Sequence, residues 1–160
     1  MFRELQRKNK ALSLEECIAL LKSEKRGVLS VNGQDGYPYG MPMNFFYDEE
    51  QKLLWFHCGR GKGHRADAIR ESDKASFCLM AERGKDEHLP WADRFESLVV
   101  FGRIKVVDDE ETVRAVCRRL SEKFTSDGGY VEKEIADFGK ATLLLALSVE
   151  HLCGKRITEA

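Results

Sequence analysis

Two stretches of the chain repeat apolar residues at helical spacing. The first begins at Ser13, where a hydroxyl followed three residues later by Glu16 is typical of a helix capping box. Cations and Gly27 at the far end suit a helix C-terminus, so we predict a helix over 13–25. Its apolar stripe, spaced i, i+3, i+4, i+7, consists of Leu14, Cys17, Ile18 and Leu21.

The second helix is predicted over 109–125. Asp108 suits its N-cap, with Glu111 three residues later, and the Asp-Gly-Gly sequence at 127–129 is expected to end it. Its apolar stripe consists of Val113, Val116, Cys117, Leu120 and Phe124.

Most other apolar residues fall in short runs separated by turn residues, which is typical of β-strands. Helices interrupt these runs too rarely for a doubly wound parallel sheet. We therefore predict a mainly β fold, an antiparallel six-stranded sheet that closes into a barrel with peripheral helices. Gly102, inside the longest run, is predicted to mark a bulge or bend. The predicted strands cover 28–31, 39–47, 53–58, 75–81, 95–107 and 141–152, and short helices cover 64–71 and 131–138.

Length and composition indicate one domain and exclude several classes of protein. The 160 residues are assigned to a single domain, with a helix at 13–25, a barrel at 27–107, a helix at 109–125 and a closing strand at 141–152. The formal net charge of −1 excludes the basic surface of a general nucleic-acid binder. No run approaches the roughly 20 apolar residues of a membrane span, and the charged start lacks a signal-peptide core, so we expect a soluble, cytoplasmic protein. The five cysteines form no CxxC pair, which predicts reduced thiols.

Residues 59–65 are the strongest candidate for chemistry. They carry three glycines, three cations and no acid between a predicted strand and a predicted helix. Glycines let the backbone approach a ligand closely, and free amides at a helix N-terminus attract anions. Arg65 suits a bidentate phosphate contact and His64 adds a donor. The stretch predicts a phosphomonoester site, although a solvated turn with surface charges explains the same residues equally well on its own.

The same stretch makes a poor metal or nucleophile site. His57, Cys58 and His64 are possible ligands, but their spacing matches no structural zinc pattern. Adjacent residues on a strand point to opposite faces, which separates His57 from Cys58. No third group orients a Cys–His pair for nucleophilic attack. We therefore expect no metal.

Seven segments spread over most of the chain carry a family resemblance. They are Gly-Val-Leu-Ser-Val at 27–31, Asp-Gly-Tyr-Pro-Tyr at 35–39, Pro-Met-Asn-Phe at 42–45, Leu-Trp-Phe-His-Cys at 54–58, Gly-His-Arg-Ala-Asp-Ala-Ile at 63–69, the strand at 95–103, and His-Leu-Cys-Gly-Lys at 151–155. Together they resemble the pyridoxamine 5′-phosphate oxidase-like flavoproteins, and within that family the nitroimidazole-resistance (Nim-type) branch.

This resemblance implies a split β-barrel homodimer that binds FMN at the interface between subunits. The phosphate would be held at 63–65, with Lys62 sharing the contact because the loop is one residue longer than usual. Arg65 stands where lysine is frequent, and Phe95 replaces the usual tyrosine. The cofactor-binding residues implied in this way are Met43, Asn44, Phe45, His57, Cys58, Lys62, Gly63, His64, Arg65 and Ser97.

The function expected from the resemblance is an FMN-dependent oxidoreductase that reduces a small organic substrate, with nitroaromatic compounds as one candidate class. His57 is the best candidate for a general acid, because imidazole titrates near neutrality. NAD(P)H would bind transiently, since no Rossmann signature is present. The alternatives are a non-catalytic flavin- or haem-binding module, or an activity like that of pyridoxamine-phosphate oxidase. The segment 83–94 is either a substrate or partner contact or an ordinary surface loop.

Overall fold

The computed structural model describes residues 2–61 and 63–159. Seven strands and four α-helices alternate irregularly along the chain. They are α1 (Leu14–Ser23), β1 (Arg26–Asn32), β2 (Pro38–Asn44), β3 (Phe46–Asp48), β4 (Leu53–Gly59), α2 (His64–Glu71), β5 (Lys74–Lys85), β6 (Asp93–Val107), α3 (Glu110–Ser121), α4 (Gly128–Phe138) and β7 (Thr142–Glu159).

The strands form one antiparallel sheet in the order β2-β1-β5-β6-β7-β4-β3. Strands β2 and β3 are consecutive in sequence and separated only by Phe45, yet they lie at opposite edges of this order. The sheet must therefore curl until its two edges meet at that residue. This geometry confirms the predicted mainly β fold of split-barrel type, with helices outside the sheet.

The described chain has seven strands, where six were predicted. The extended run expected over 39–47 divides at Phe45, whose amide donates to the carbonyl of Lys25 at 3.3 Å. The residues before Phe45 pair with β1, and those after it pair with β4. Local sequence carries no sign of this division, because it depends on which distant strand each half meets.

Aromatic rings fill the interior where the two edges meet. Phe45, Phe56 and Phe77 are fully buried. The ring of Phe77 lies 4.8 Å from that of Phe45 and 5.2 Å from that of Phe56, measured between centroids. Such tilted aromatic pairs add to the free energy gained from apolar burial. Phe45 therefore anchors the closure of the barrel through its packing.

The longest pairing joins β6 and β7 from Asp93↔Glu159 to Val107↔Leu144. Its register shifts at Phe101/Gly102, which confirms the predicted bulge. The segment 83–94, expected to be irregular, is partly strand: β5 continues to Lys85 and β6 already begins at Asp93. Their pairing, rather than any local apolar pattern, holds these polar residues in extended form.

The helices begin and end at local sequence signals, and one predicted N-cap is wrong. Ser13 and Glu16 form the predicted capping box of α1. The predicted cap of α3, Asp108, is wrong: Asp109 accepts from the amide of Thr112 at 2.8 Å. Helix α3 ends at Ser121, before the predicted Asp-Gly-Gly break. The side chain of Asp127 instead caps α4, which begins at Gly128.

Helix α3 covers the outer face of β4 and β7, and α4 packs against α3. A second apolar cluster forms there around Trp55, Val113, Val116, Leu144 and Ala146. Within the described residues, no helix combines the length and hydropathy needed to cross a bilayer.

Candidate functional site

A cavity of about 220 Å³ opens where β4 ends and α2 begins. Its floor and walls come from the barrel, and its rim comes from the glycine-rich loop. The lining residues on the loop side are Gly59, Gly61, Gly63, His64, Arg65 and Ala66, and those on the barrel side are Tyr39, Cys58, Val106, Leu143 and Leu145.

The loop forms because β4 stops pairing at this point. Pairing with β7 ends at Gly59↔Thr142, and the amide of Arg60 still donates to the carbonyl of Ala141 at 2.7 Å. The chain then turns into α2, whose N-cap is Gly63. Glycine has no side chain that could accept a hydrogen bond from the first-turn amides. Among the described residues, the Ala66 amide donates to the Gly63 carbonyl at 2.9 Å, whereas the amides of His64 and Arg65 have no acceptor. These two amides are therefore available to an anion, as a helix N-terminus favours.

The three loop glycines leave room for a ligand. A Cβ built on Gly59, Gly61 or Gly63 would have no described atom within 4 Å. The space above the loop is therefore open where a bound group would lie against the backbone.

Positive charge lies on one side of this cavity. Arg60 pairs with Asp108 at 3.6 Å across exposed side chains, which leaves its charge partly neutralised. Arg65 lines the cavity itself and lies close enough to Cys58 for its charge to favour the thiolate. Burial outweighs that charge and raises the pKa of the Cys58 thiol, so the thiol is protonated at neutral pH. Cys58 therefore contributes to the wall of the cavity and offers a weak hydrogen-bond donor, and it does not act as a nucleophile.

His57 lies on the other face of β4, away from this cavity. It lines a cleft of about 230 Å³ under α3 and α4, together with Cys117, Glu134 and Phe138. Its side chain is exposed at the cleft mouth, but desolvation by the surrounding apolar atoms lowers the pKa of the imidazole. His57 is therefore neutral at pH 7.

The other residues expected at the cofactor lie in three further places. Met43 packs against the main core, and Asn44 on the opposite face of β2 accepts from Arg26 Nε at 3.1 Å. Phe45 is fully buried, so only its backbone could meet a ligand. Ser97 lies half-buried on β6 between Met80 and Lys155. Lys62 lies outside the described residues.

One chain thus brings together four of the expected residues, and sequence reasoning missed a fifth that lies with them. Cys58, Gly63, His64 and Arg65 line the same cavity, whereas His57, Met43, Asn44, Phe45 and Ser97 do not line it. Tyr39 was not among the expected residues, yet its ring contacts His64 edge-on. The alternation from Tyr39 through Met41 to Met43 along β2 was the available signal, because it assigns all three side chains to the inner face.

Neither the described histidines nor the cysteines build a metal centre. Over residues 2–61 and 63–159, no three side chains of His, Cys, Asp or Glu come together in a geometry that could hold a metal ion. His57 and Cys58 line separate cavities on opposite faces of β4.

Comparison with solved structures shows relatives of the same fold. A candidate 5-nitroimidazole antibiotic resistance protein from Bacteroides thetaiotaomicron is 16% identical, with a TM-score of 0.74 over 93% of this chain and 87% of that one. A conserved hypothetical protein from Mycobacterium tuberculosis is 18% identical, with a TM-score of 0.77 over 94% and 89%. The FAD and haem binding protein from Mycobacterium smegmatis is 23% identical, with a TM-score of 0.67 over 91% and 72%.

Sequence comparison gives the family. No curated protein matches the chain significantly. The family model described as pyridoxamine 5′-phosphate oxidase matches residues 13–156, which span nearly the whole chain from α1 into the last part of β7. The chain therefore belongs to the pyridoxamine 5′-phosphate oxidase family.

Proposed function

We propose that this protein binds FMN and acts as an oxidoreductase on a small organic substrate, with nitroaromatic compounds as one candidate class. The observation that carries the proposal is the cavity at the start of α2, where the open glycines meet the Arg65 side chain and the amides of His64 and Arg65, which have no described acceptor. Such a cradle suits the terminal phosphomonoester of FMN. A flavin is also consistent with the relatives described as FAD-binding or as an F420 reductase.

The cavity matches one end of the cofactor rather than all of it. Val106, Leu143 and Leu145 provide an apolar wall beside the cationic loop, which suits the chain that links a phosphate to a flavin ring. The volume of about 220 Å³ falls below the roughly 300–1,000 Å³ of pockets that enclose a whole ligand. The ring would therefore extend beyond this cavity, toward a surface that a second subunit completes.

The outer face of the sheet supports a homodimer. Val28, Cys78, Met80 and Phe101 are all exposed, and the first two are directly paired across β1 and β5. Large exposed apolar patches on a sheet mark interaction surfaces. In our proposal two copies meet through this face, and the flavin ring is lined by Asn44, Ser97 and the backbone of Met43 and Phe45 once the interface has formed.

Each of the site residues then has a defined role. Gly63, His64 and Arg65 bind the phosphate, with Lys62 alongside, and Cys58 closes the bottom of the cavity. The bound flavin would supply the redox chemistry, with NAD(P)H as electron donor and the organic substrate as acceptor. His57, which lies in a separate cleft, has no part in phosphate binding and stays a general-acid candidate only if the partner subunit brings a substrate to it.

Cofactor binding is tested first by mass spectrometry of the ligand that copurifies, and then by titrating FMN into the ligand-free protein. Arg65→Gln should weaken FMN binding by at least tenfold, since charged hydrogen bonds contribute about 1.5–3 kcal/mol. Arg70→Gln is the matched control, because Arg70 lies on the same helix but at its exposed C-terminal turn, paired with Asp67. If wild type and Arg65→Gln bind FMN with equal affinity, this loop is not the phosphate site.

Turnover is tested by mixing the FMN-loaded protein with NADPH in a stopped-flow instrument, with a 5-nitroimidazole as acceptor. Bleaching of the flavin spectrum, followed by its return when the acceptor is added, supports an oxidoreductase. A flavin that stays oxidised identifies a passive binder. A Soret band in the isolated protein would replace the flavin proposal with haem binding, the second ligand named for the Mycobacterium smegmatis relative.

A further inference from the structure

Three arginines converge on a third, more enclosed pocket at the start of β6. The pocket measures about 150 Å³ and lies where the ends of β5, β6 and β7 meet. Its lining consists of Arg83, Arg94, Phe95, Glu96 and Arg156.

Two of these arginines already have carboxylate partners. Arg83 donates through Nε to Glu96 at 2.8 Å and lies 3.6 Å from Glu24. Arg156 pairs with Glu16 at 2.6 Å and lies 3.5 Å from Glu96. The carboxylates around the pocket are therefore engaged with these two cations.

Arg94 is the exception. Its described polar contact is a long one, from a terminal nitrogen to the carbonyl of Arg83 at 3.4 Å. Its Nε is buried and has no acceptor among the described residues. Because a guanidinium remains charged at all accessible pH values and Arg94 has no described carboxylate partner, an anion in the pocket would compensate a charge that Arg83 and Arg156 already have compensated.

We infer that the Arg94 pocket binds an oxyanion, the phosphate monoester or carboxylate group of a small ligand. The Arg94 side chain lines this pocket, and its guanidinium carries terminal N–H donors that suit the oxygens of such a group. The Phe95 ring provides an apolar wall for the part of the ligand that carries the anion.

This pocket is separate from the cavity at α2. Arg94 and Val106, which lines the first cavity, are twelve residues apart on β6, a contour length of roughly 40 Å at the usual rise of a strand. A single ligand in one chain cannot reach both. The inference therefore does not depend on FMN binding at α2.

The test uses the purified full-length protein labelled with 15N, with inorganic phosphate and acetate as probes. The Arg94 Nε–Hε signal is assigned by its loss in Arg94→Lys, which keeps the charge but lacks that group. Phosphate should shift this signal in a saturable way, and acetate should do so if a carboxylate is the natural group. Arg94→Gln, in which the backbone amide signal of Phe95 serves as the reporter, should weaken the binding at least tenfold.

Two variants distinguish this pocket from other cationic sites. Arg65→Gln should leave the phosphate response of Arg94 unchanged, even if it abolishes binding at α2. Arg103→Gln, on the same strand but paired with Asp73 and Glu150, should also leave it unchanged. If neither anion shifts the Arg94 signal, the inference is overturned. This also holds if the signal does not respond because a carboxylate of a second copy of the chain already fills the pocket. If Arg94→Gln does not fold, the wild-type titration decides alone.

Discussion

The ring of Tyr39 meets the imidazole of His64 edge-on, with centroids 4.5 Å apart and ring planes at 75°. Tyr39 belongs to β2 and His64 opens α2, so this contact links an edge strand of the barrel to the anion-binding helix. The turn before β2 packs against the same imidazole, because a Cβ on Gly33 would lie 3.1 Å from His64 Nε2. The position of His64 therefore depends on two segments distant in sequence.

Removing the Tyr39 ring should loosen the phosphate site. Tyr39→Ala is expected to weaken FMN binding by about 2- to 12-fold, since an aromatic pair contributes about 0.5–1.5 kcal/mol beyond area burial. Tyr39→Phe keeps the ring and should bind as wild type does. Tyr37→Ala, in the same segment but 74% exposed, is the control for fluorescence titration. Wild-type affinity in Tyr39→Ala would show that the contact does not position His64 for the ligand.

The bulge at Gly102 should tolerate no side chain. A Cβ there would lie 1.9 Å from the carbonyl oxygen of Ser148, a backbone atom that cannot move without breaking the β6–β7 register. Gly102→Ala should lower the free energy of unfolding by about 1–3 kcal/mol or more, measured by urea denaturation. Gly128→Ala, at the open start of α4, serves as the control and should cost far less. Equal stability of Gly102→Ala and wild type would contradict the bulge geometry.

Acid should destabilise the fold partly through His57. Desolvation lowers the pKa of its imidazole from the usual 6.5, so below that pH the unfolded chain takes up a proton before the folded protein does. The free energy of unfolding should therefore fall as the pH is lowered through about 6.5. His57→Gln should show a shallower fall, with His88→Gln in the exposed 87–91 segment as control. Identical pH slopes in wild type and His57→Gln would mean that the cleft does not desolvate the ring.

A charge on the outer sheet face should prevent dimer formation. Met80 is 63% exposed on β5 and belongs to the proposed interface, where a buried unpaired guanidinium would be strongly unfavourable. Met80→Arg should be a monomer by light scattering coupled to size-exclusion chromatography, whereas the wild type should elute as a dimer. Tyr130→Arg, at a similarly exposed position on α4, should remain dimeric. A monomeric wild type would contradict the homodimer directly.

Local signals in the sequence predicted several features that the structure confirms. The Ser13–Glu16 capping box depends on residues three apart, so it needs no knowledge of the fold. Helix α2 begins after the glycines, as predicted, because glycine ends one element and the amphipathic stretch starts the next. The one-residue error at the α3 cap has a local cause, since both Asp108 and Asp109 suit that position.

Features that depend on distant partners could not be predicted. The division at Phe45 and the extended form of residues 83–85 both follow from strand pairing across the sheet. The proximity of Arg94 to Arg83 and Arg156 has the same origin, because the three arginines lie on three different strands.

The sequence by itself determined the helix caps, the strand-rich pattern, the family resemblance and the cationic glycine loop, since each is written in neighbouring residues. Only the tertiary structure decided which residues share a cavity. It placed Tyr39 against His64, and it put Cys58 in the cavity at α2 and His57 in the cleft under α3 and α4. The physical reason is that side chains alternate across a strand while the sheet curls to bring its two edges together, so nearness in sequence and nearness in space diverge at the site.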